Sequence, residues 1–298
     1  MRLGKHLDDF QVIKDYHDKE PDIPIQTLCQ LLKVSRSGYY KWHNHIETVS
    51  ETENKKLMKK IKEFHRNYNG ILGYRRMTNF VNRQLGTNYN KKRIRRLMKI
   101  LGIRSVIRRV RQSCTKVGER FHEENILNRD FSADTVFKKL VTDITYIHVV
   151  NEGWTYLASV MDLYDRKIIG WAYGKNITAE LATQAVKNAC LNIPDTTGIV
   201  LHSDLGSQYT SEEFEKYLQD QGMLHSFSRK GNPYDNACME FFHSVLKKEE
   251  VYTTTYYTFE EAKSALFEYI ESFYNRKRRH SALDYKTPQQ VEDEALAA

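Results

Sequence analysis

The spacing of apolar residues changes near residue 138, and this change divides the chain into two parts. Before it, Leu, Ile, Met and Phe recur every three or four residues in several short segments, as on one face of an amphipathic helix. After it, runs rich in Val, Ile, Tyr, Thr and Trp alternate with turn residues, as in strands. The pattern predicts an all-α N-terminal region followed by an α/β region.

Residues 26–43 predict two short helices separated by a turn at Lys33-Val34. Ser35 is placed to cap the second helix, which begins at Arg36. The first helix is expected to be short and apolar, with Leu28, Leu31 and Leu32. This is the outline of a helix-turn-helix, whose second helix would lie in the major groove with Arg36 near DNA. Two helices that pack on a larger helical domain would show the same pattern, so both interpretations stay open.

Residues 51–102 predict three more helices, the last ending at Gly102. Their outward faces are basic, and basic helix ends commonly hold duplex phosphates. In this part the arginines expected to bind DNA are Arg75, Arg76, Arg93, Arg95 and Arg96. We therefore expect a helix-turn-helix-like region at 1–45, a basic trihelical DNA-binding domain at 46–107 and a linker at 108–133.

The charge of the chain is unevenly distributed. Residues 1–130 contain 29 Lys and Arg against 14 Asp and Glu, whereas residues 131–298 contain 17 against 24. The stretch 83–111 has eleven basic residues and no acid. Such asymmetry favours nucleic-acid binding by the N-terminal part, although a solvated helix face is the plain alternative.

Composition excludes several classes of protein. The four cysteines are scattered without a CxxC pair, so neither a zinc site nor a disulfide framework is expected. No apolar run approaches the ~18 residues of a membrane span, and the N-terminus lacks the apolar segment of a signal peptide. We expect a cytoplasmic protein without a membrane partner.

From residue 138 the pattern predicts three antiparallel strands joined by tight turns. A helix, a short buried strand, a second helix and a fifth strand follow. This order is that of an RNase H-like α/β fold, with a mixed five-stranded sheet and a C-terminal helical extension over residues 134–298.

Three acids fall at defined places in this predicted fold. Asp143 lies within the first strand, Asp204 just beyond the fourth and Glu240 on the helix after the fifth, with 35 residues between the last two. A charge inside a strand is unfavourable unless it is paired or bound to metal, and Mg²⁺ prefers oxygen ligands. Singly, the acids could be an edge residue, a turn residue and a surface residue. Together they predict a metal-binding carboxylate triad.

Other polar residues near the acids have less certain roles. We expect Asp162 and Asp165 to serve the second turn, and Asp235 or Asn236 to cap the helix that carries Glu240. The basic residues expected to meet DNA phosphates near the acids are Arg229, Lys230, Lys247 and Lys248. Arg278 and Arg279 in the basic tail are also predicted to contact DNA, unless they only stabilise a helix C-terminus.

Several stretches resemble the bacterial insertion-sequence transposases of the family founded by insertion sequence three, members of the retroviral integrase superfamily with a D,D(35)E triad. In the α/β part they are VTDITYI (141–147), YLASVMDLYDRKIIGW (156–171), LHSDLGSQYTS (201–211), SRKGNPYDNACMEFF (228–242) and YNRKRRHSALDYKTP (274–288). Upstream, VSRSGYYKW (34–42), GYRRM (73–77) and NILNRDFSA (125–133) are similar to the family's second reading frame. The chain departs from the family at Leu140, where Trp is usual, and at Phe241, where Ser is usual.

The resemblance implies a DNA transposase that cleaves the 3′ ends of an insertion sequence and transfers them to target DNA. It implies two Mg²⁺ ions, replaceable by Mn²⁺, on Asp143, Asp204 and Glu240. It also implies terminal inverted repeats and target duplex as partners, a homodimer or higher oligomer on DNA, and the first-reading-frame protein. The alternatives are a nuclease that cuts without joining, a DNA-binding regulator, and a second-frame product that is inactive alone.

Overall fold

The computed structural model describes residues 7–107, 125–229 and 233–298. Much of the predicted linker and Lys230 therefore lie outside the described residues. The helices that precede the sheet are α1 (Leu7–His17), α2 (Ile25–Leu31), α3 (Arg36–His43), α4 (Val49–Asn67), α5 (Tyr74–Leu85) and α6 (Lys91–Ile100). This part of the prediction is confirmed as all-α.

The first three helices pack around a small aromatic core. The Ser35 side chain accepts a hydrogen bond from the Gly38 backbone N at 3.3 Å, so it caps α3 as predicted. Cys29 and Tyr39 are buried in this core, whereas Leu31 is 76% exposed. Helix α2 turns Cys29 inward, so Leu31 of this apolar helix faces solvent.

Helices α4 to α6 have an apolar core of their own. A capping box of Thr48 and Glu51 begins α4, and Gly102, at φ +68°, follows α6 in the left-handed conformation that favours glycine. Their inward side chains include Leu57, Ile61, Met77, Val81, Ile94 and Leu97. These are the positions at helical spacing in the sequence.

The C-terminal part is built on a five-stranded mixed sheet. Its strands are β1 (Lys139–Val149), β2 (Gly153–Asp162), β3 (Ile168–Gly174), β4 (Val200–Ser203) and β5 (Leu224–Phe227). Their order is β3-β2-β1-β4-β5, with β1, β2 and β3 antiparallel and with β4 parallel to both β1 and β5. The predicted integrase-type α/β fold is confirmed.

Helices cover both faces of the sheet. The elements are α7 (Ala179–Cys190), α8 (Glu212–Asp220), α9 (Ala237–Leu246), α10 (Phe259–Phe267) and α11 (Pro288–Leu296), with π-helical turns at Lys247–Val251 and Glu268–Tyr274. One apolar cluster contains α7 and α8, and the other contains α9 and α10. Adjacent β1 residues Leu140 and Val141 enter opposite clusters because strand side chains alternate between faces.

The turn between β2 and β3 is held by the two aspartates predicted to serve it. Asp162 accepts a hydrogen bond from the Tyr164 backbone N at 2.9 Å, and Asp165 accepts one from the Lys167 backbone N at 2.8 Å. Both aspartates are buried. Among the described residues, no helix is long and apolar enough to cross a membrane.

Candidate active site and nucleic-acid interface

Asp143 and Asp204 come from neighbouring parallel strands. Val141 on β1 is paired with His202 on β4. Asp143 and Asp204 each lie two residues further on, so the parallel register brings them side by side. Both acids are thus positioned by the central sheet.

Helix α9 approaches the same point from one face of the sheet. Its buried His243 has Nδ1 at 3.4 Å from Oδ2 of Asp143, whose other oxygen accepts a bond from the Ile144 backbone N at 2.8 Å. Glu240 is three residues before His243 and therefore lies one helical turn away on the same side. The helix thereby carries the third acid to the sheet.

Electrostatic effects link the three acids. Burial, and then the negative charge of Asp143, raises the pKa of Asp204. Glu240 is exposed, yet partial desolvation followed by the charge of Asp143 raises its pKa, against an opposing effect of His243. One carboxylate therefore disfavours ionisation of both others, which is the repulsion a bound cation relieves.

The acids do not form a closed cage. In the stretches 7–107, 125–229 and 233–298, no three His, Cys, Asp or Glu side chains stand close enough together to hold a metal ion. Asp204 also accepts a hydrogen bond from the Gly206 backbone N at 3.0 Å, so it serves its turn as well. The three acids suit a divalent cation in their chemistry, because they offer oxygen donors and their negative charges act on one another.

A polar network not expected from the sequence supports the strand end before Asp204. The Ser203 hydroxyl donates to the Asp204 carbonyl at 2.8 Å and lies 2.9 Å from Nε2 of His225. The other ring nitrogen of His225 lies 2.5 Å from Glu215 on α8. His225 lies between the exposed Leu224 and the buried Ser226 on β5, and sequence spacing does not reveal its partners.

His202 is a second buried histidine near the acids, and its contacts are structural. Its Nδ1 lies 2.9 Å from the Ser226 hydroxyl, and its Nε2 lies 2.9 Å from the Ser228 hydroxyl. Burial lowers the pKa of His202 to about 4, so the ring is neutral at neutral pH. This ring joins β4 to the end of β5.

The predicted cap of α9 was wrong. Asn236 stands at the capping position but makes no capping bond, and its amide instead donates to the Thr142 carbonyl at 3.1 Å. The buried Asp235 accepts hydrogen bonds from Arg229 at 2.8 Å and Arg129 at 2.7 Å. Burial alone would raise the pKa of Asp235, but these bonds outweigh it and hold the pKa below its ordinary value.

Arg76 and Arg278 form a buried ion cluster with Glu249. Arg76 Nη1 forms an ion pair with Glu249 at 2.9 Å, and Glu249 accepts hydrogen bonds from Arg278 Nε at 2.9 Å and from the Tyr269 hydroxyl at 3.0 Å. Arg278 is 7% exposed and the Glu249 side chain 1%. This placement does not suit the DNA contacts predicted for the two arginines, because their guanidinium groups are turned inward and join α5 to the C-terminal part.

The other predicted DNA-contact residues lie in more varied surroundings. Arg93 is bound within the helical part by Asn54 and Glu53, both at 2.9 Å. Half of the Arg229 side chain is exposed despite its pairing with Asp235. The exposed residues of the predicted set are Arg36, Arg75, Arg95, Arg96 and Arg229.

Two lysines follow Glu240 on the same helical segment. Lys247 Nζ lies 3.7 Å from the centroid of the Tyr146 ring, and Lys248 Nζ donates to the Ser244 hydroxyl at 2.7 Å. Burial lowers the pKa of Lys247, with an opposing effect from Asp143. Both cations therefore lie on the acid-bearing side of α9.

Family matches span both parts of the chain. Residues 133–233 and 221–288 match two families described as Integrase core domain. Residues 52–111 match a family described as HTH-like domain. The latter match covers α4 to α6 instead of the predicted helix-turn-helix at α2 and α3.

Curated relatives match over most of their lengths. The transposase for insertion sequence element IS904 of Lactococcus lactis is 36% identical over 81% of this chain and 95% of the relative. Transposase InsF for insertion sequence IS3A of Escherichia coli is 34% identical over 93% of this chain and 97% of the relative. A solved HTLV-2 integrase catalytic core domain in complex with magnesium is 15% identical, with a TM-score of 0.41 over 53% of this chain and 98% of that one. The chain therefore belongs to the insertion-sequence transposases of the IS3 family, which contain an integrase core domain and bind DNA.

Proposed function

We propose that this transposase cleaves the 3′ ends of its insertion sequence and joins them to target DNA at Asp143, Asp204 and Glu240. The observation that carries the proposal is the convergence of three separate elements on Asp143. The β1–β4 register brings Asp204 beside it, and His243 of α9 lies 3.4 Å from its carboxylate. The integrase core domain of the family supports the same chemistry.

The three carboxylates would hold divalent cations, Mg²⁺ or Mn²⁺, and we propose two ions. When bound, such ions supply charge neutralisation at the attacked phosphate and at the leaving oxygen. Oxygen donors and the mutual repulsion of the acids support this assignment. The electrostatic effect of Asp143 on both partners means that a cation would lower their pKa values together.

The reaction consists of two substitutions at phosphorus. In the first, a water oxygen bonds to the phosphorus at the element end and the bond from phosphorus to the 3′ oxygen breaks, which leaves a 3′-hydroxyl. In the second, this hydroxyl bonds to a target phosphorus and the bond to the target 3′ oxygen breaks. One phosphodiester bond replaces another in the second step.

The residues around the acids have binding and positioning roles. His243 fixes one oxygen of Asp143, and Asn236 ties the start of α9 to β1 through the Thr142 carbonyl. Lys247 and Lys248 lie on the side where DNA phosphates would approach. These contacts hold the acids and the charged DNA backbone in one orientation.

DNA partners are proposed to be the terminal inverted repeats and the target duplex. The exposed cations Arg36, Arg75, Arg95 and Arg96 would contact their phosphates. We also propose that the protein acts as a homodimer or higher oligomer on DNA, with the first-reading-frame protein as a partner. Sedimentation with and without element-end duplex tests the oligomer.

The central test replaces Asp204 with Asn in the full chain. The variant should lose end cleavage and strand transfer while binding the element-end duplex nearly as well, because the fold keeps the Asx turn but loses one anionic ligand. Asp220→Asn, an exposed position at the end of α8, is the matched control and should keep both activities. Full strand transfer by Asp204→Asn would refute the assignment. Cleavage by the unmodified protein without joined product would instead indicate a nuclease.

A further inference from the structure

A groove with two adjoining sections lies between the basic helices and the C-terminal part of the chain. Its first section, of about 720 Å³, follows α5 and is lined by Arg83 and Lys91. Its second section, of about 460 Å³, reaches Phe241 on α9. Arg75 and Tyr285 line both sections, so the two sections adjoin there.

The groove is basic along its whole length. No Asp or Glu of the described chain lines either section, whereas the lining cations are Arg75, Arg76, Arg83, Lys91, Arg278 and Arg279. A nearby cavity of about 340 Å³ is different, since it is lined by Glu249, Glu250 and Glu268 with Lys277. The absence of acid distinguishes the groove from this cavity and favours an anionic ligand.

Some polar groups of the groove lack partners. Burial, and then the positive charge of Arg83, lowers the pKa of Arg279. The Nε of Arg279 and the Oδ1 of Asn79 are buried and have no hydrogen-bond partner among the described residues. Cations held together without an acid repel each other, and a phosphate between them would remove this repulsion.

Aromatic rings lie among these cations. Tyr74 and Tyr285 line the second section, and the Arg95 guanidinium lies 5.4 Å from the Tyr74 ring centroid. At the far end, Phe241 is 56% exposed and directly follows Glu240. Cations that follow a backbone, together with rings that can stack on bases, are typical of sites for a single nucleic-acid strand.

We propose that this groove binds one strand of the DNA end and leads it to the catalytic acids. Arg75, Arg83 and Lys91 would bind successive phosphates, and Phe241 would pack against the terminal base beside Glu240. Arg76 and Arg278 do not take part because Glu249 holds them. That the strand leads to the catalytic acids rests on the proposed function. Binding of a strand in the groove does not depend on it.

The first test measures DNA affinity against salt concentration for the full chain. Arg83→Gln with Lys91→Gln removes two exposed groove cations, and Lys216→Gln with Lys263→Gln removes two exposed cations elsewhere. With a short element-end duplex, the groove variant should reduce the slope of log K against log salt by about 1.8, or by about 1.4 with the single strand. The control should leave the slope nearly unchanged. An unchanged slope in the groove variant would overturn the proposal.

A second test does not depend on cleavage. Acetylation of lysines in the unmodified protein, followed by mass spectrometry, should show Lys91 protected by the duplex and Lys216 not. Phe241→Ala should reduce end cleavage more than tenfold at unchanged affinity, whereas unchanged cleavage would remove the proposed contact at the acids. If the protein cleaves DNA but Lys91 is acetylated equally with and without DNA, strand binding in the groove is refuted and the proposed function stands. Protection of Lys91 in a protein that never cleaves would support the groove and contradict the proposed function.

Discussion

Replacing Glu249 with Gln should destabilise the protein strongly, although the two side chains have nearly the same shape. Glu249 is the only acid in contact with two inward-facing arginines, Arg76 and Arg278, among the described residues. The substitution removes the negative charge and leaves both guanidinium groups in place. The change in the free energy of unfolding therefore reports the electrostatic contribution of Glu249, because side-chain packing stays nearly the same.

The size of the effect follows from the geometry of the cluster. A unit charge pair about 4 Å apart contributes about 4 kcal/mol at an effective dielectric constant near 20. Two such pairs act on Glu249, but the loss is smaller than their sum because Gln keeps one acceptor oxygen and removes the cost of burying a carboxylate. We expect a loss of about 3–5 kcal/mol in the free energy of unfolding, as for other broken buried ion pairs.

Urea denaturation followed by circular dichroism measures this loss. Glu63→Gln, which removes an exposed pair with Lys60, is the matched control and should change stability little. Replacing Arg76, Glu249 and Arg278 together by apolar residues of similar volume should restore most of the stability, because no buried charge is then left unpaired. A loss below about 1 kcal/mol for Glu249→Gln would refute the electrostatic reasoning.

Two further predictions concern the sheet. Burial, and then the charge of Asp162, raises the pKa of Asp165 to about 8, so this group destabilises the fold increasingly as pH rises from the ordinary carboxyl range towards 8. The Asp165→Asn variant should therefore be more stable than the unmodified protein, and its advantage should be larger at pH 8 than at pH 5. Urea midpoints that show a larger advantage at pH 5 would contradict this. Gly170→Ala should destabilise by about 1–3 kcal/mol because its Cβ would lie 2.3 Å from the Ala189 backbone N. Gly73→Ala, with no atom within 4 Å of the added carbon, is the control, and equal melting temperatures for the two variants would rule out the clash.

The sequence predicts the secondary structure well where local pattern determines it. The change of period near residue 138 separates the helical part from the sheet, and the Ser35 cap follows from local chemistry. The apolar residues of α2 do not define its inward face, which Cys29 fills while Leu31 is exposed. Short helices carry too few positions to define a face.

Long-range pairing is what the sequence does not reveal. The basic tail around Arg278 has the composition of a DNA-facing surface, and its partner Glu249 lies 29 residues away in the chain. The position of Asp235 before α9 likewise predicts a cap, but its carboxylate accepts hydrogen bonds from Arg229 and Arg129. The acid triad stays a prediction about chemistry, although the register of β1 and β4 gives it a physical basis.

The cluster of Arg76, Glu249 and Arg278 also bears on exchange of the helical part of this chain. Glu249 lies nine residues after Glu240, on a π-helical turn that continues α9, so the same segment carries a proposed metal ligand and the joint to α5. In a chimaera whose helical part lacked an arginine at position 76, Glu249 would keep only Arg278 as a buried cation. Foreign helical parts should therefore be tolerated best when they bring an arginine to this position, because the charge balance of the buried cluster is then kept.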